Sequence, residues 1–414
     1  MDQSKGAVKS NAEVSADDHK YVFHSWSAQG AISPIPVAKS SGSRFWDFDG
    51  KEYLDFSSQL VFTNIGHQHP TVVSAIQEQA GILTALAPQH ASETRNEAAK
   101  RIVEVAGAEF VKVFFTNGGA DAVENAIRMC RIHTRKHKIL STYRSYHGNT
   151  GAAINATGDP RRFPNEFAAG HVHFWGPYLY RSAFWATSEA EECARALEHL
   201  EQTIIFEGPH TIAAILIESV PGTAGVLTPP KGYLEGVRAL CDKYQIKWIA
   251  DEVMAGFGRT GKWFAFQSSS VQPDLITFAK GVTSGYVPLG GVVISEEISK
   301  TFDQQIFPGG LTYMGHPLAS AAAVATIDVM KSEKMLENAT IIGEKIFAPG
   351  LAKLAQKHKV IGDIRGAGVF WGVDLVSNRE TREPLAPYGG TSPAMNELVA
   401  ACKANGMMPF TNFN

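Results

Sequence analysis

The run W-I-A-D-E-V-M-A-G-F-G-R-T-G-K-W-F (Trp248–Phe264), followed after a short loop by P-D-L-I-T-F-A-K-G (Pro273–Gly281), decides the fold. Ile246–Ala250 and Leu275–Ala279 are apolar runs of strand length bounded by turn residues, so each predicts a buried strand. The first ends in the acid pair Asp251-Glu252 and the second in Lys280. Side chains at the carboxyl ends of neighbouring strands project into the crevice where open α/β sheets bind ligands. Burying either charge there is costly without compensation. The compensation this pattern suggests is a cofactor between them, its aldehyde bonded to Lys280 and its ring nitrogen paired with Asp251.

Outward from this stretch, strand-like and helical segments alternate. V-K-V-F-F-T-N-G-G-A-D-A-V-E-N-A-I-R-M-C-R (Val111–Arg131) is a β-rich run, a glycine turn and a helix. Gly118 and Gly119 open that helix, so its first N–H groups make a phosphate site, although a tight turn needing glycine explains them equally well. Lys138–Thr150 is a strand ending in the aromatic loop Y-H-G, where Tyr146 is placed to cover a planar ring. Thr211–Gly225 is a further buried strand, ending in Glu218. Helices are expected over Pro70–Leu86, Glu93–Ala106, Ser188–Gln202, Gly232–Tyr244 and Leu318–Glu333, and irregular chain over Phe163–Trp185. From about Val111 to Ile294 this alternation predicts a mostly parallel sheet covered by helices.

Upstream, residues 1–18 read as a loose polar lead-in, and Arg44–Phe56 as a hairpin around Asp49-Gly50. Residues 334–414 combine helices with a strand at Gly368–Leu375. The expected organisation is residues 1–65 as an N-terminal segment with a small-domain hairpin, 66–333 as a large domain, and 334–414 as the C-terminal part of a smaller α+β domain built from both chain ends.

The 414 residues, 44% hydrophobic and 19% charged with a net charge of -3, describe an ordinary globular protein. Nothing in that balance forms a footprint for nucleic acid or an anionic membrane. No apolar run reaches the roughly 20 residues of a membrane span. The first residues lack the apolar core of a signal peptide. Cys130, Cys193, Cys241 and Cys402 are scattered, which suits a reducing compartment, and the expectation is a cytoplasmic protein. His67 and His69 have no third ligand nearby and read as loop residues; no metal is expected.

Two motifs in the key stretch mislead. Gly256, Gly258 and Gly261 match G-x-G-x-x-G with Asp274 downstream, and Gly256 to Lys262 nearly matches a P-loop. The glycines follow two carboxylates that would repel a pyrophosphate, and no amphipathic helix follows them. Trp263 stands where a P-loop needs a metal-binding hydroxyl, and Asp274 precedes its strand rather than ending one.

The signature W-I-A-D-E-V-x-x-G-F-G-R-T-G with P-D-L-I-T-F-A-K-G resembles that of the class III pyridoxal-phosphate aminotransferases. The resemblance extends to W-D-F-D-G-K-E-Y-L-D-F, F-F-T-N-G-G-A-D-A-V-E-N-A, Y-H-G and T-Y-M-G-H-P, nearly the whole chain. It implies a fold-type I α/β transferase with pyridoxal 5′-phosphate (PLP) as cofactor. Lys280 then bonds to the cofactor's aldehyde and moves the substrate proton, while Asp251 keeps the ring nitrogen protonated. Val253 packs on one face of the ring and Tyr146 on the other. Gly118 and Gly119 hold the phosphate, and Glu218 lies near the ring hydroxyl. Thr312 matches a threonine that reaches the phosphate from the partner subunit, so a homodimer with shared sites is implied.

The chain departs from the family in three places. Gly118-Gly119-Ala120-Asp121 replaces Ser-Gly-Ser-Glu, removing hydroxyls from the phosphate cup. Ser219-Val220 stands for Pro-Val. The sequence stops at P-F-T-N-F-N, where relatives continue into the segment that carries a carboxylate-binding arginine, so that arginine is not expected among these residues. The F-H-S-W-S-A-Q-G and D-F-S-S-Q-L-V-F-T-N segments are similar to taurine:pyruvate and β-alanine:pyruvate enzymes, and this implies Trp26, Leu60, Val61 and Tyr146 in the substrate pocket. The activity implied is ping-pong amine transfer from an ω-amino acid or primary amine to pyruvate. The alternative is another PLP activity on the same fold, such as an aminomutase, racemase or decarboxylase.

Overall fold

The computed structural model describes residues 9–165 and 168–411. Its centre is a seven-stranded sheet of β4 (Phe110–Thr116), β5 (Lys138–Thr142), β6 (His171–Phe174), β7 (Ile212–Glu218), β8 (Lys247–Asp251), β9 (Leu275–Phe278) and β10 (Gly290–Ser295). The spatial order is β4-β10-β9-β8-β7-β5-β6, and β10 alone runs antiparallel to its neighbours. Every residue of β7 and β9 is buried, as a strand covered on both faces requires.

Successive side chains of a strand point to opposite faces, and each face has its own core. Trp248, Ala250, Ile276 and Phe278 pack with the helices Glu93–Ala106, Glu189–Glu207, Tyr233–Tyr244 and Pro317–Ser332. Ile249 and Leu275 pack on the other side with Ala122, Ala126 and Cys130 of the helix Gly119–Thr134. Removing a side chain such as Trp248, fully buried, forfeits about 3–5 kcal/mol on that reasoning.

The chain ends meet in a second sheet. β1 (Val37–Ser41), β2 (Arg44–Asp47) and β3 (Glu52–Asp55) form an antiparallel meander, closed by the short parallel strand β14 (Met407–Met408) on β3. The hairpin between β2 and β3 turns through Gly50, at φ 89°. β11 (Ile361–Ala367), β12 (Phe370–Asn378) and β13 (Glu383–Pro384) form a third sheet.

The helix expected over Pro70–Leu86 ends at Ile82, and two other segments differ in kind from the sequence reading. Asn11–Tyr21 is a helix, not loose chain: the Ser10 and Glu13 side chains make a capping box, a local S-x-x-E signal that the polar composition obscured. Residues 1–8 lie outside the described residues. Within Phe163–Trp185, β6 is a strand, because H-V-H-F finds β5 as a partner (Leu140 beside Val172); its own alternation spans only four residues and is masked by the aromatic, Pro- and Gly-rich chain around it. Among the described residues no helix is long and apolar enough to cross a membrane.

Candidate active site

The carboxyl ends of β4, β5, β8 and β9 open onto one cleft, where Gly118, Gly119, Tyr146, Asp251, Val253 and Lys280 share the lining. Residues widely separated in sequence converge here because the strands that end in them lie side by side in register, Asp251 opposite Thr277.

Asp251 is 3% exposed and held by three donors. His147 Nδ1 lies 2.7 Å from Oδ2, while the Val253 N–H (3.1 Å) and the Thr277 hydroxyl (3.2 Å) donate to Oδ1. A carboxylate only accepts, so the His147 proton on this contact sits on Nδ1. Glu252, one residue on, points the other way and accepts the N–H groups of Ala265 (2.8 Å) and Phe266 (3.0 Å). Burial pushes its carboxyl up to about 7. The acid pair is therefore split: one member faces the cleft and the other anchors the Ala265–Ser268 turn.

Lys280 lies just past β9 with a left-handed backbone (φ 45°), a conformation costly for a residue with a Cβ and kept only where surroundings impose it. Desolvation lowers its pKa below the ordinary lysine value, against the pull of Asp251 and Glu218. A lowered pKa leaves more of the amine neutral, the form that attacks a carbonyl or accepts a proton.

Gly118 and Gly119 stand at the start of the 16-residue helix Gly119–Thr134, whose first N–H groups form the positive end of the dipole. A Cβ on Gly119 would lie 2.8 Å from Val253 Cγ1 and 2.9 Å from Cγ2, so this glycine lets the phosphate cradle and the Val253 wall meet. Gly119→Ala is expected to displace Val253 and raise the dissociation constant of the cofactor at least tenfold. Titration of the cofactor-free protein by absorbance checks this; unchanged affinity would remove the close approach from the argument.

The other expected residues distribute unevenly. Glu218 does not line this cleft. Its carboxylate accepts the N–H groups of Gly222 (2.9 Å) and Tyr146 (3.4 Å), and burial raises it to about 7, with His147 lowering and Asp251 raising it. Trp26 meets the Tyr146 ring edge-on at 6.3 Å between centroids. Leu60 is 41% exposed, and Val61 packs into a small core with Val220, Val226 and Phe370. Phe62, beside them, lines the cleft. Thr312 is exposed and outside the lining.

Sequence reading also missed partners. His147 was in view within Y-H-G, yet nothing local marks it as the companion of Asp251. The Arg161 guanidinium lies 3.7 Å from the Tyr146 ring centroid and is tied to Asp159, Nε to Oδ2 at 3.0 Å. It carries a charge to the cleft from a D-P-R-R-F segment without a motif. His67 and His69 pair with Asp55 (2.8 Å) and Glu333 (2.9 Å). Asp274, the residue of the misleading motif, is bound to Arg238 at 2.7 Å at the opposite end of the sheet strand.

A cleft with a desolvated lysine, a buried carboxylate and a helix start beside it is the arrangement of a PLP enzyme, and comparison gives it a family. The profile of the family Aminotransferase class-III matches residues 26–412. The chain belongs to the class III aminotransferases. It is similar to a taurine–pyruvate aminotransferase of Bilophila wadsworthia, 35% identical over 413 residues, covering 96% of this chain and 88% of that one. It also resembles a solved taurine:2-oxoglutarate aminotransferase from Bifidobacterium kashiwanohense, in complex with PLP and glutamate. The TM-score there is 0.94 and the identity 47%, over 97% of this chain and 91% of that chain. An (S)-enantioselective omega-transaminase from Thermomicrobium roseum superposes with TM-score 0.91 at 34% identity, over 98% and 93%.

This aminotransferase is thus a fold-type I α/β enzyme whose cofactor is PLP. The residues present fit that group. Lys280 would offer the aldehyde an amine of lowered pKa, Asp251 would offer the ring nitrogen a buried acceptor, and the close approach at Gly119 leaves a cradle that a side chain would fill.

Proposed function

We propose that this transaminase takes the amino group of a short ω-amino acid or primary amine, of which taurine is the type, and passes it to pyruvate, yielding alanine. The observation that carries the donor class is Arg161, whose guanidinium stacks on Tyr146 at the cleft. Asp159 takes its Nε and Nη2, and the remaining Nη1 is the donor that a carboxylate or sulfonate a fixed distance from the reacting amine would meet. The names of relatives, taurine–pyruvate and hypotaurine/taurine–pyruvate aminotransferases, support the same donor and acceptor.

When bound, the cofactor supplies an electron sink for the substrate carbon. The chain supplies the rest. Lys280 Nζ takes the proton from the amino-bearing carbon and returns it in the reverse direction. Asp251 would hold a proton on the ring nitrogen, and its own position is held by His147, Val253 and Thr277. Val253 and Tyr146 would confine the ring, and Gly118 and Gly119 would anchor its phosphate through backbone N–H groups. The enzyme works as a homodimer, in which Thr312, exposed on one protomer, serves the phosphate of the other's site.

The 47% identity with a taurine:2-oxoglutarate enzyme favours a second reading of the acceptor, in which 2-oxoglutarate replaces pyruvate. The test is direct. Purified enzyme with PLP and taurine receives either oxo acid, and alanine or glutamate is quantified; failure of every ω-amino donor with both acceptors would sink the proposal. Arg161→Leu is expected to raise the KM for taurine about 10–100-fold, the value of one or two charge-assisted hydrogen bonds, and to leave that for 1-phenylethylamine nearly unchanged. Equal effects on the charged and the neutral donor would remove Arg161 from the acid subsite.

A further inference from the structure

The segment from Ser57 to Asn64 joins the β3 hairpin to the cleft in an unusual backbone. Ser58 (φ 49°), Gln59 (φ 58°) and Val61 (φ 58°) are all left-handed. For a β-branched residue such as Val61 that region is an outlier, maintained only where the surroundings over-determine it. Two buried charges do so here.

On one side stands Asp55, 8% exposed, at the end of β3. Its Oδ1 accepts from the Ser57 hydroxyl (2.8 Å) and the Gln59 N–H (2.8 Å), and its Oδ2 from Gln59 Nε2 (3.0 Å), with His67 Nε2 at 2.8 Å. On the other side stands Arg259, also 8% exposed, from the G-F-G-R turn. Nη1 donates to the Ser58 hydroxyl (3.1 Å) and Nη2 to Asn64 Oδ1 (2.7 Å). The two charges face each other through the strap rather than touching.

The strap is seated on the loop that carries the catalytic lysine. A Cβ at Gly281 would fall 2.3 Å from Asn64 Nδ2, and one at Gly285 2.3 Å from Phe62 Cδ2. Asn64 Nδ2 also donates to the Phe257 carbonyl (2.8 Å), and the Ile65 N–H to the Ser284 hydroxyl (3.1 Å). Because Val61 is spent on core packing and Leu60 turns outward, Phe62 is the strap's side chain in the cleft.

We propose that Phe62 is a specificity-determining residue for the amino donor, and that Asp55 and Arg259 are positioning residues that clamp its strap against the Lys280 loop. The donor part of this proposal rests on the amine-transfer reading above; the clamp does not. A rigid strap keeps the Phe62 ring at one depth and so admits small donors over bulky ones, whereas a loosened strap lets the ring retreat.

The experiment has two arms on the PLP-loaded enzyme. In the first, kcat and KM are measured for taurine and 1-phenylethylamine. Phe62→Ala is expected to shift the ratio of kcat/KM at least tenfold toward the bulky amine, with the absorbance of the bound cofactor unchanged. Asp55→Asn and Arg259→Met shift it in the same direction through KM, and Arg259→Lys restores part of the parent ratio. In the second, hydrogen exchange is followed at the Gln59, Val61 and Phe62 amides. Asp55→Asn speeds their exchange at least tenfold while β7 and β8 stay protected. A Phe62→Ala ratio within twofold of the parent overturns the specificity role, and strap exchange unchanged in Asp55→Asn overturns the clamp. A parent enzyme inactive with every donor removes the amine-transfer reading and the Phe62 role with it, while the exchange arm still decides the clamp.

Discussion

Lys280→Ala abolishes steady-state amine transfer, with residual turnover at least about 10⁴-fold below the parent, while the protein stays folded and still takes up PLP. Loss of a positioned proton-transfer group accounts for about 10²–10⁴ by itself, and loss of the covalent link adds to it. The structure explains why no neighbour substitutes. The other groups that Lys280 feels most strongly are the carboxylates of Asp251 and Glu218 and the guanidiniums of Arg259 and Arg161, none of which is an amine that could take its place. Binding survives because Gly118, Gly119, Asp251 and Val253 remain in place around the cleft. Absorbance of the bound cofactor, thermal unfolding and product assays report these three properties separately. Measurable steady-state transfer by the variant would refute the role of Lys280.

Asp251→Asn is expected to leave a folded protein whose single-turnover rate with donor falls about 10²–10³-fold, the scale for removing one preorganised electrostatic partner. The substitution is isosteric but not neutral. The amide oxygen still accepts from the Val253 N–H and the Thr277 hydroxyl, while the amide nitrogen now faces His147 Nδ1. Two donors cannot share that contact, so the imidazole proton must move to Nε2, a buried atom with no hydrogen-bond partner in the structure. The variant thus loses the charge proposed to hold the ring-nitrogen proton and also strains the support behind it. Rapid-mixing absorbance measures the half-reaction without the acceptor. An unchanged rate would sink the assignment, and a loss confined to cofactor affinity would make Asp251 a binding residue only.

How much of this was legible beforehand depends on where each signal resides. Strands that end in Asp251 and Lys280 are visible because buried strands in a parallel sheet are short apolar runs, and the residue after each run falls at the sheet's carboxyl edge. The glycine turn before the Gly119–Thr134 helix and the Asp49-Gly50 hairpin were readable because turn chemistry is local. Leu60 and Val61 show the limit. Three residues of positive φ in four, beside the buried Asp55 and Arg259, send Val61 into the core and Phe62 into the cleft, and no pattern in S-S-Q-L-V-F announces it.

By itself, then, the sequence determined the α/β class, the lysine–carboxylate pair and the glycine turn that opens the Gly119–Thr134 helix, since each rests on periodicity or on a residue's own backbone preference. Only the tertiary structure decided that β10 runs antiparallel, that β14 closes the hairpin sheet, that His147 backs Asp251 and that Arg161 stacks on Tyr146. Those contacts join residues from different segments, or from either side of a turn, and their energies depend on desolvation and geometry that exist only after the chain has packed.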